Sequence, residues 1–269
     1  MKEMSIDLET YSDVNITKCG AYKYAESDNF EILLFGVSID GGEVQVFDLA
    51  CGDTIPDGIL AALSDDTVTK WAFNANFERI CLSHWLKKHH PEHFKGYNIL
   101  EDPASKYLDP ASWKCTMIWS AYMGLPLSLE GVGAVLKLQD QKMKEGKDLI
   151  KYFCVPGKDG QRHLPADAPD KWNTFKAYNL RDVETEMSIQ ERLRKYPVPD
   201  TVWEQYHLDQ QINDRGIAVD MTLVRSAIAI DERPHEELTA KLQELTMLEN
   251  PNSVQQMKDW LADNGLETE

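Results

Sequence analysis

The sequence predicts an α/β fold: a mixed sheet whose first three strands run antiparallel, with helices on its faces and a helical appendage after it. Three observations predict this. Ser5-Ile6-Asp7-Leu8-Glu9-Thr10 alternates apolar and acidic residues with period two, the pattern of a strand with one buried face. Residues 31–40 are a strongly apolar run closed by Gly41-Gly42, and residues 43–48 alternate back, which reads as a hairpin. Beyond residue 199 helical spacing takes over, and residues 216–220 alone look extended.

The elements follow in order. Residues 11–29 read as polar and irregular, with Cys19-Gly20 as a turn. Residues 54–63 make a short helix and residues 68–73 a fourth strand. Asn76 is the expected N-cap of a helix over 77–89, with Ile80, Cys81, Trp85 and Leu86 turned inward. Residues 91–110 are loop-rich. Trp113-Lys114-Cys115-Thr116 holds a short strand, and the helix after it stops at Gly124-Leu125-Pro126. Ser128 opens a helix to about residue 138, and residues 148–153 form another, ended near Pro156-Gly157. A polar loop over 158–167 leads to a long helix over 170–195, with Trp172, Phe175, Leu180, Val183, Met187 and Leu193 as its apolar positions. Pro197 and Pro199 break it, so a boundary is expected at 196–200. Helices over 201–215, 223–247 and 254–264 complete the chain.

Composition bounds the function. The 269 residues are 42% hydrophobic, enough for a sizeable core, and no apolar run is long enough to span a membrane. Met1-Lys2-Glu3-Met4 leads straight into the first strand without an apolar segment, so no secretory signal is expected. Five scattered cysteines without a CxxC pair read as reduced thiols of a cytoplasmic protein. The net charge of −17 excludes a passive nucleic-acid coat, which needs Lys and Arg to displace counterions. It leaves room for an enzyme that meets a few phosphates through bound metal. Lys137, Lys142, Lys144, Lys147 and Lys151 form a local cluster that reads equally as a solvated helix face or a phosphate-facing one.

Chemistry starts at Asp7 and Glu9. Residues i and i+2 of a strand share a face, so two like charges about 6–7 Å apart must be compensated or solvated. A hard divalent cation such as Mg²⁺ or Mn²⁺ is one answer, because it prefers carboxylate oxygens. A solvated strand face is the other. Glu78 lies at the mouth of the helix after the fourth strand, where α/β sheets commonly place functional groups. Tyr178 and Asp182 are four apart and share one face of the long helix.

This set, in this order, resembles the 3′–5′ exonucleases of the DEDD superfamily, tyrosine subclass, also called DnaQ-like. Asp7-Leu8-Glu9-Thr10 matches D-x-E-T. Asn74-Ala75-Asn76-Phe77-Glu78 matches N-x-x-F-D except at its last residue, where glutamate stands for aspartate. Tyr178 and Asp182 match Y-x-x-x-D. Residue 177, where the histidine subclass carries its histidine, is alanine. Segments around Trp113, Gly124 and Asp148 are similar to the exonuclease domain of phage-type family A DNA polymerases. The stretches 208–220 and 250–256 resemble the linker and the start of the thumb in that family.

The resemblance implies a ribonuclease-H-like exonuclease domain over 1–196 and a helical, partly thumb-like segment over 200–269. It implies two Mg²⁺ or Mn²⁺ ions about 4 Å apart. Asp7 would bridge them, Glu9 and Asp182 would hold the tighter one, and Glu78 the other through a water. Glu78 also reads as a solvated acid favoured by the helix dipole. Tyr178 would orient the attacking water. Thr10 and Asn74 would position the 3′-terminal nucleotide. The expected function is proofreading-type removal of 3′ nucleotides from single-stranded or frayed DNA, releasing nucleoside 5′-monophosphates. The expected location is the cytoplasm of a bacterial or phage-infected cell. No palm or fingers sequence is recognised, so polymerase activity is expected from a partner domain. RNA 3′-end trimming and a catalytically silent module supporting a polymerase are the alternatives.

Overall fold

The computed structural model describes residues 1–97, 106–138, 146–157 and 160–266. Lys142 and Lys144, and part of the loop expected over 91–110, lie outside them. The sheet has five strands in the order β3-β2-β1-β4-β5. β1 (Glu3–Tyr11) is central. It pairs antiparallel with β2 (Glu31–Ile39), which pairs antiparallel with β3 (Gln45–Asp48). On its other side β1 pairs parallel with β4 (Thr69–Ala72), and β4 with β5 (Trp113–Cys115). This is the ribonuclease-H-like arrangement, with its first three strands antiparallel as expected.

The alternation in β1 sets the layers. Met4, Ile6 and Leu8 are buried in one core with Phe35, Val37 and residues of α2 (Asp57–Leu63) and α3 (Ala75–His89). The opposite face carries Ser5, Asp7, Glu9 and Tyr11 towards α7 (Pro169–Leu193). Before α7 come α4 (Thr116–Tyr122), α5 (Leu129–Val135) and α6 (Gly146–Phe153). Leu33, Leu34, Phe153, Trp172, Phe175 and Tyr178 make a second core between the sheet and α6 and α7.

Three expectations need correction. Residues 11–29 are not irregular throughout, since they contain α1 (Ile16–Ala25), opened by the Asn15 side chain accepting from the Thr17 amide. Gly20 kinks it with φ 75°, which breaks the helical period and hides the helix from a periodicity reading. The helix of Glu78 starts earlier than Asn76 suggests. Asn74 flanks it at φ 81°, a left-handed conformation that asparagine tolerates better than most residues, and Asn76 lies within the first turn. The boundary also moves, because the first compact unit runs from Met1 to Arg215 and the second from Gly216 to Glu269.

The reason is α8 (Asp200–Arg215), which packs on the first unit. Trp203 is buried against Trp71, with ring centroids 6.0 Å apart at 85°, in a cluster with Trp119, Ile189, Leu193 and Val198. His207 Nε2 lies 2.9 Å from the Trp113 carbonyl. Asp214 forms a buried ion pair with Arg79 at 2.8 Å. It also accepts from the Tyr22 hydroxyl at 2.7 Å and the Tyr97 hydroxyl at 2.6 Å. Leu208 and Ile212, apolar in sequence, are exposed. The second unit contains α9 (Met221–Thr246), capped by Asp220, and α10 (Val254–Asp263), capped by Ser253. Among the described residues no helix is long and apolar enough to cross a membrane.

Glu186, one turn beyond Asp182 on α7, is buried between the helix and β1. It accepts from Thr116 Oγ1, and from Gln190 Nε2 at 2.7 Å on both oxygens. Burial pushes its carboxyl up to about 7, against the hydrogen bonds that pull it down.

A chain ending at Arg215 should keep the melting temperature of the first unit, and one ending at Tyr196 should lose it. The shorter chain bares Trp71 and leaves the Arg79 guanidinium buried without its carboxylate, a break that costs about 3–5 kcal/mol. Urea unfolding of the two truncations checks this, and equal midpoints would refute it. Glu186 gives a pH signature. Its folded pKa lies above its unfolded one, so its stabilising contribution is complete below pH ~4.5 and is lost as pH rises through about 7. Glu186→Gln should therefore gain on the native chain between pH 5 and 8, by up to about 3 kcal/mol. A pH-independent difference between the two unfolding curves would contradict it.

Candidate metal centre

β1 and α7 cross where their polar residues meet. Asp7, Glu9 and Asp182 each offer a carboxylate oxygen, and these atoms lie within 4.8 Å of one another. Glu9 and Asp182 are buried and Asp7 is half-buried. The donor set is oxygen only, without histidine or thiolate. It fits a hard divalent cation of the Mg²⁺ or Mn²⁺ kind, and that charge would compensate the three carboxylates.

Tyr178 stands one helical turn before Asp182. Its ring is fully buried and stacks on Phe175, with centroids 6.0 Å apart at 14°. The backbone of Gly146, at the start of α6, lies flat against it. A Cβ there would come 2.0 Å from Tyr178 Cε2, so glycine is required for the ring to sit where it does. Burial first, and then the negative charges of Asp182, Glu9 and Asp7, push the phenol far above its usual range. It is a neutral hydroxyl, suited to hydrogen bonding and not to taking part as a phenolate.

Glu78 sits in the first turn of α3, buried. It is not one of the three acids whose oxygens cluster within 4.8 Å. Burial, and then the charge of Asp7, push its carboxyl well above the carboxylate range, and its Oε2 is buried without a hydrogen-bond partner. Thr10 Oγ1 lies 2.9 Å from the Tyr24 hydroxyl. Asn74 borders the same space from the start of α3.

All seven residues singled out in the sequence line one cleft of about 710 Å³. Its lining includes Asp7, Glu9, Asp13, Glu78 and Asp182 and, among the described residues, neither lysine nor arginine. Lys137, Lys147 and Lys151 do not border it. Lys147 is exposed and lies 3.8 Å from Glu130, as on a solvated helix face.

Sequence reasoning missed Tyr24, Gly146 and Asn179. Asn179 Nδ2 donates to Asp7 Oδ2 at 2.7 Å and to the Asp7 carbonyl at 3.2 Å. The available signal was an amide inside the buried stripe Phe175, Asn179, Val183 of α7, where spacing of four calls for an apolar residue.

No protein-family model matches the chain. Over 272 aligned residues it is 44% identical to the DNA polymerase of Bacillus phage SP02, covering 99% of this chain and 39% of that protein. Among solved structures, Brucella melitensis NrnC is 13% identical with a TM-score of 0.44, over 78% of this chain and 83% of that one. Escherichia coli RNase D, described as an exoribonuclease involved in structured RNA processing, is 15% identical with a TM-score of 0.40, over 81% of this chain and 46% of that one. The chain is a homologue of about two fifths of a phage DNA polymerase, and its five-stranded sheet has the ribonuclease-H-like strand order.

Proposed function

We propose that the chain is a metal-dependent 3′–5′ exonuclease of the proofreading type, acting on single-stranded or frayed DNA. The observation that carries this reading is the convergence of Asp7, Glu9 and Asp182 with the Tyr178 phenol in one cleft. The kinship with a phage DNA polymerase favours DNA over RNA as the substrate. The polymerase active site would belong to a separate domain. The working location would be the cytoplasm of a phage-infected bacterium.

Two divalent cations, Mg²⁺ or Mn²⁺, would supply an activated water and charge neutralisation at the scissile phosphate. Asp7, Glu9 and Asp182 would hold the first cation. Glu78, buried near Asp7, would serve a second and looser one. Tyr178 orients the attacking water through its neutral hydroxyl. The water oxygen bonds to phosphorus, and the bond from phosphorus to the 3′ oxygen breaks. The products are a nucleoside 5′-monophosphate and a strand shorter by one residue with a free 3′-hydroxyl. Thr10 and Asn74 border the space for the terminal nucleotide, and Tyr24 fixes the Thr10 hydroxyl.

Labelled single-stranded DNA and RNA, incubated with Mg²⁺, Mn²⁺ or EDTA, test the reading directly. Asp7→Ala should abolish cleavage while its melting temperature in EDTA holds or rises, because one of three crowded like charges is gone. Cleavage at the native rate would end the proposal. Glu78 makes a finer test. Glu78→Asp should stay active. Glu78→Gln should lose rate at low metal and recover part of it as metal rises, better with Mn²⁺ than with Mg²⁺. A solvated helix acid would instead give a curve of rate against metal concentration identical to the native one.

A further inference from the structure

Asp7 and Gly36 face each other across the β1–β2 ladder. Asn179 lies over that pair from α7. Its side chain makes two hydrogen bonds to one residue, to Asp7 Oδ2 at 2.7 Å and to the Asp7 carbonyl oxygen at 3.2 Å. Both partners are acceptors, so the amide must present its nitrogen to them. That leaves Oδ1 facing β2, buried and without a hydrogen-bond partner. A Cβ on residue 36 would lie 2.6 Å from that oxygen and 3.0 Å from Val183 Cγ2. The arrangement therefore needs glycine at 36.

A half-satisfied amide in a buried site is unfavourable for stability alone, because an unpaired buried acceptor costs on the order of 1–3 kcal/mol. An aliphatic side chain at 179 would fill the stripe between Phe175 and Val183 without that cost. What the amide provides is directional. It holds one oxygen of Asp7 and the backbone beneath it, and so restricts how the carboxylate can turn beside Glu9 and Asp182. Partners behind a metal ligand do this kind of work in metal sites generally.

We infer that Asn179, seated on Gly36, is a positioning residue that sets the Asp7 carboxylate for a divalent cation. The inference rests on the metal role proposed for Asp7, and the test separates the two. Mn²⁺ is titrated into the full chain by calorimetry, without substrate. Absence of Mn²⁺ binding by the native chain removes the metal reading itself. Given native binding, Asn179→Ala should weaken Mn²⁺ by about 10- to 100-fold, with its melting temperature in EDTA unchanged or higher. Gly36→Ala should also weaken Mn²⁺, with every carboxylate intact, because the new methyl displaces the amide. The double variant should bind no more weakly than Asn179→Ala alone, since the methyl then has no amide to displace. Native affinity in a folded Asn179→Ala overturns the inference, and so do losses that multiply in the double variant. If Asn179→Ala does not fold, Gly36→Ala decides, and native affinity there overturns it equally.

Discussion

The structure is arranged around an electrostatic conflict. Three carboxylates, two on the central strand of the sheet and one on α7, each bring an oxygen within 4.8 Å of the others. At that spacing each like-charged pair repels by about 3 kcal/mol for an effective dielectric constant near 20. Packing on both elements helps to keep the acids together. The face of β1 away from the acids is locked into the core of α2 and α3. The helix bearing Asp182 is held by Phe175, Val183 and Ile189, all fully buried.

The second support is less direct. Glu78 and Arg79 are neighbours in the first turns of α3, with opposite tasks. Arg79 turns away from the cleft and is anchored by Asp214, by the Leu108 carbonyl at 3.0 Å, and by Asn76 and Gln210 at 3.3 Å. The helix start that carries Glu78 is thus tied to the last turn of α8. A segment without a single cleft-lining residue takes part in holding the cleft's geometry.

Much of this was legible in the sequence. Period two in β1, the apolar run of β2 and the Gly41-Gly42 turn made the antiparallel half of the sheet legible, although β2 is buried on both faces. Asp7, Glu9, Tyr178 and Asp182 stood out because together and in order they match the motifs of an exonuclease family; their strand and helix spacings alone left a solvated reading open. The failures have two causes, a local kink and partners distant in sequence. α1 was hidden by the Gly20 kink. α8 was assigned to the appendage because Pro197 and Pro199 precede it, while its anchors lie far away in sequence: Trp203 packs on Trp71, and Asp214, Gln210 and His207 find partners on α3, β5 and the loop of Tyr97. Its apolar Leu208 and Ile212 face outward. Asn179 was invisible because its meaning depends on Gly36, and strand pairing with β1 brings those two residues together.

The lining of the cleft carries a further consequence. Among the described residues five carboxylates border it and no lysine or arginine does. On the proposed function, a polyanionic strand entering such a space without cations would meet repulsion, and seated cations would remove it. Cation and strand would then be thermodynamically linked ligands, each raising the affinity of the other by the same factor.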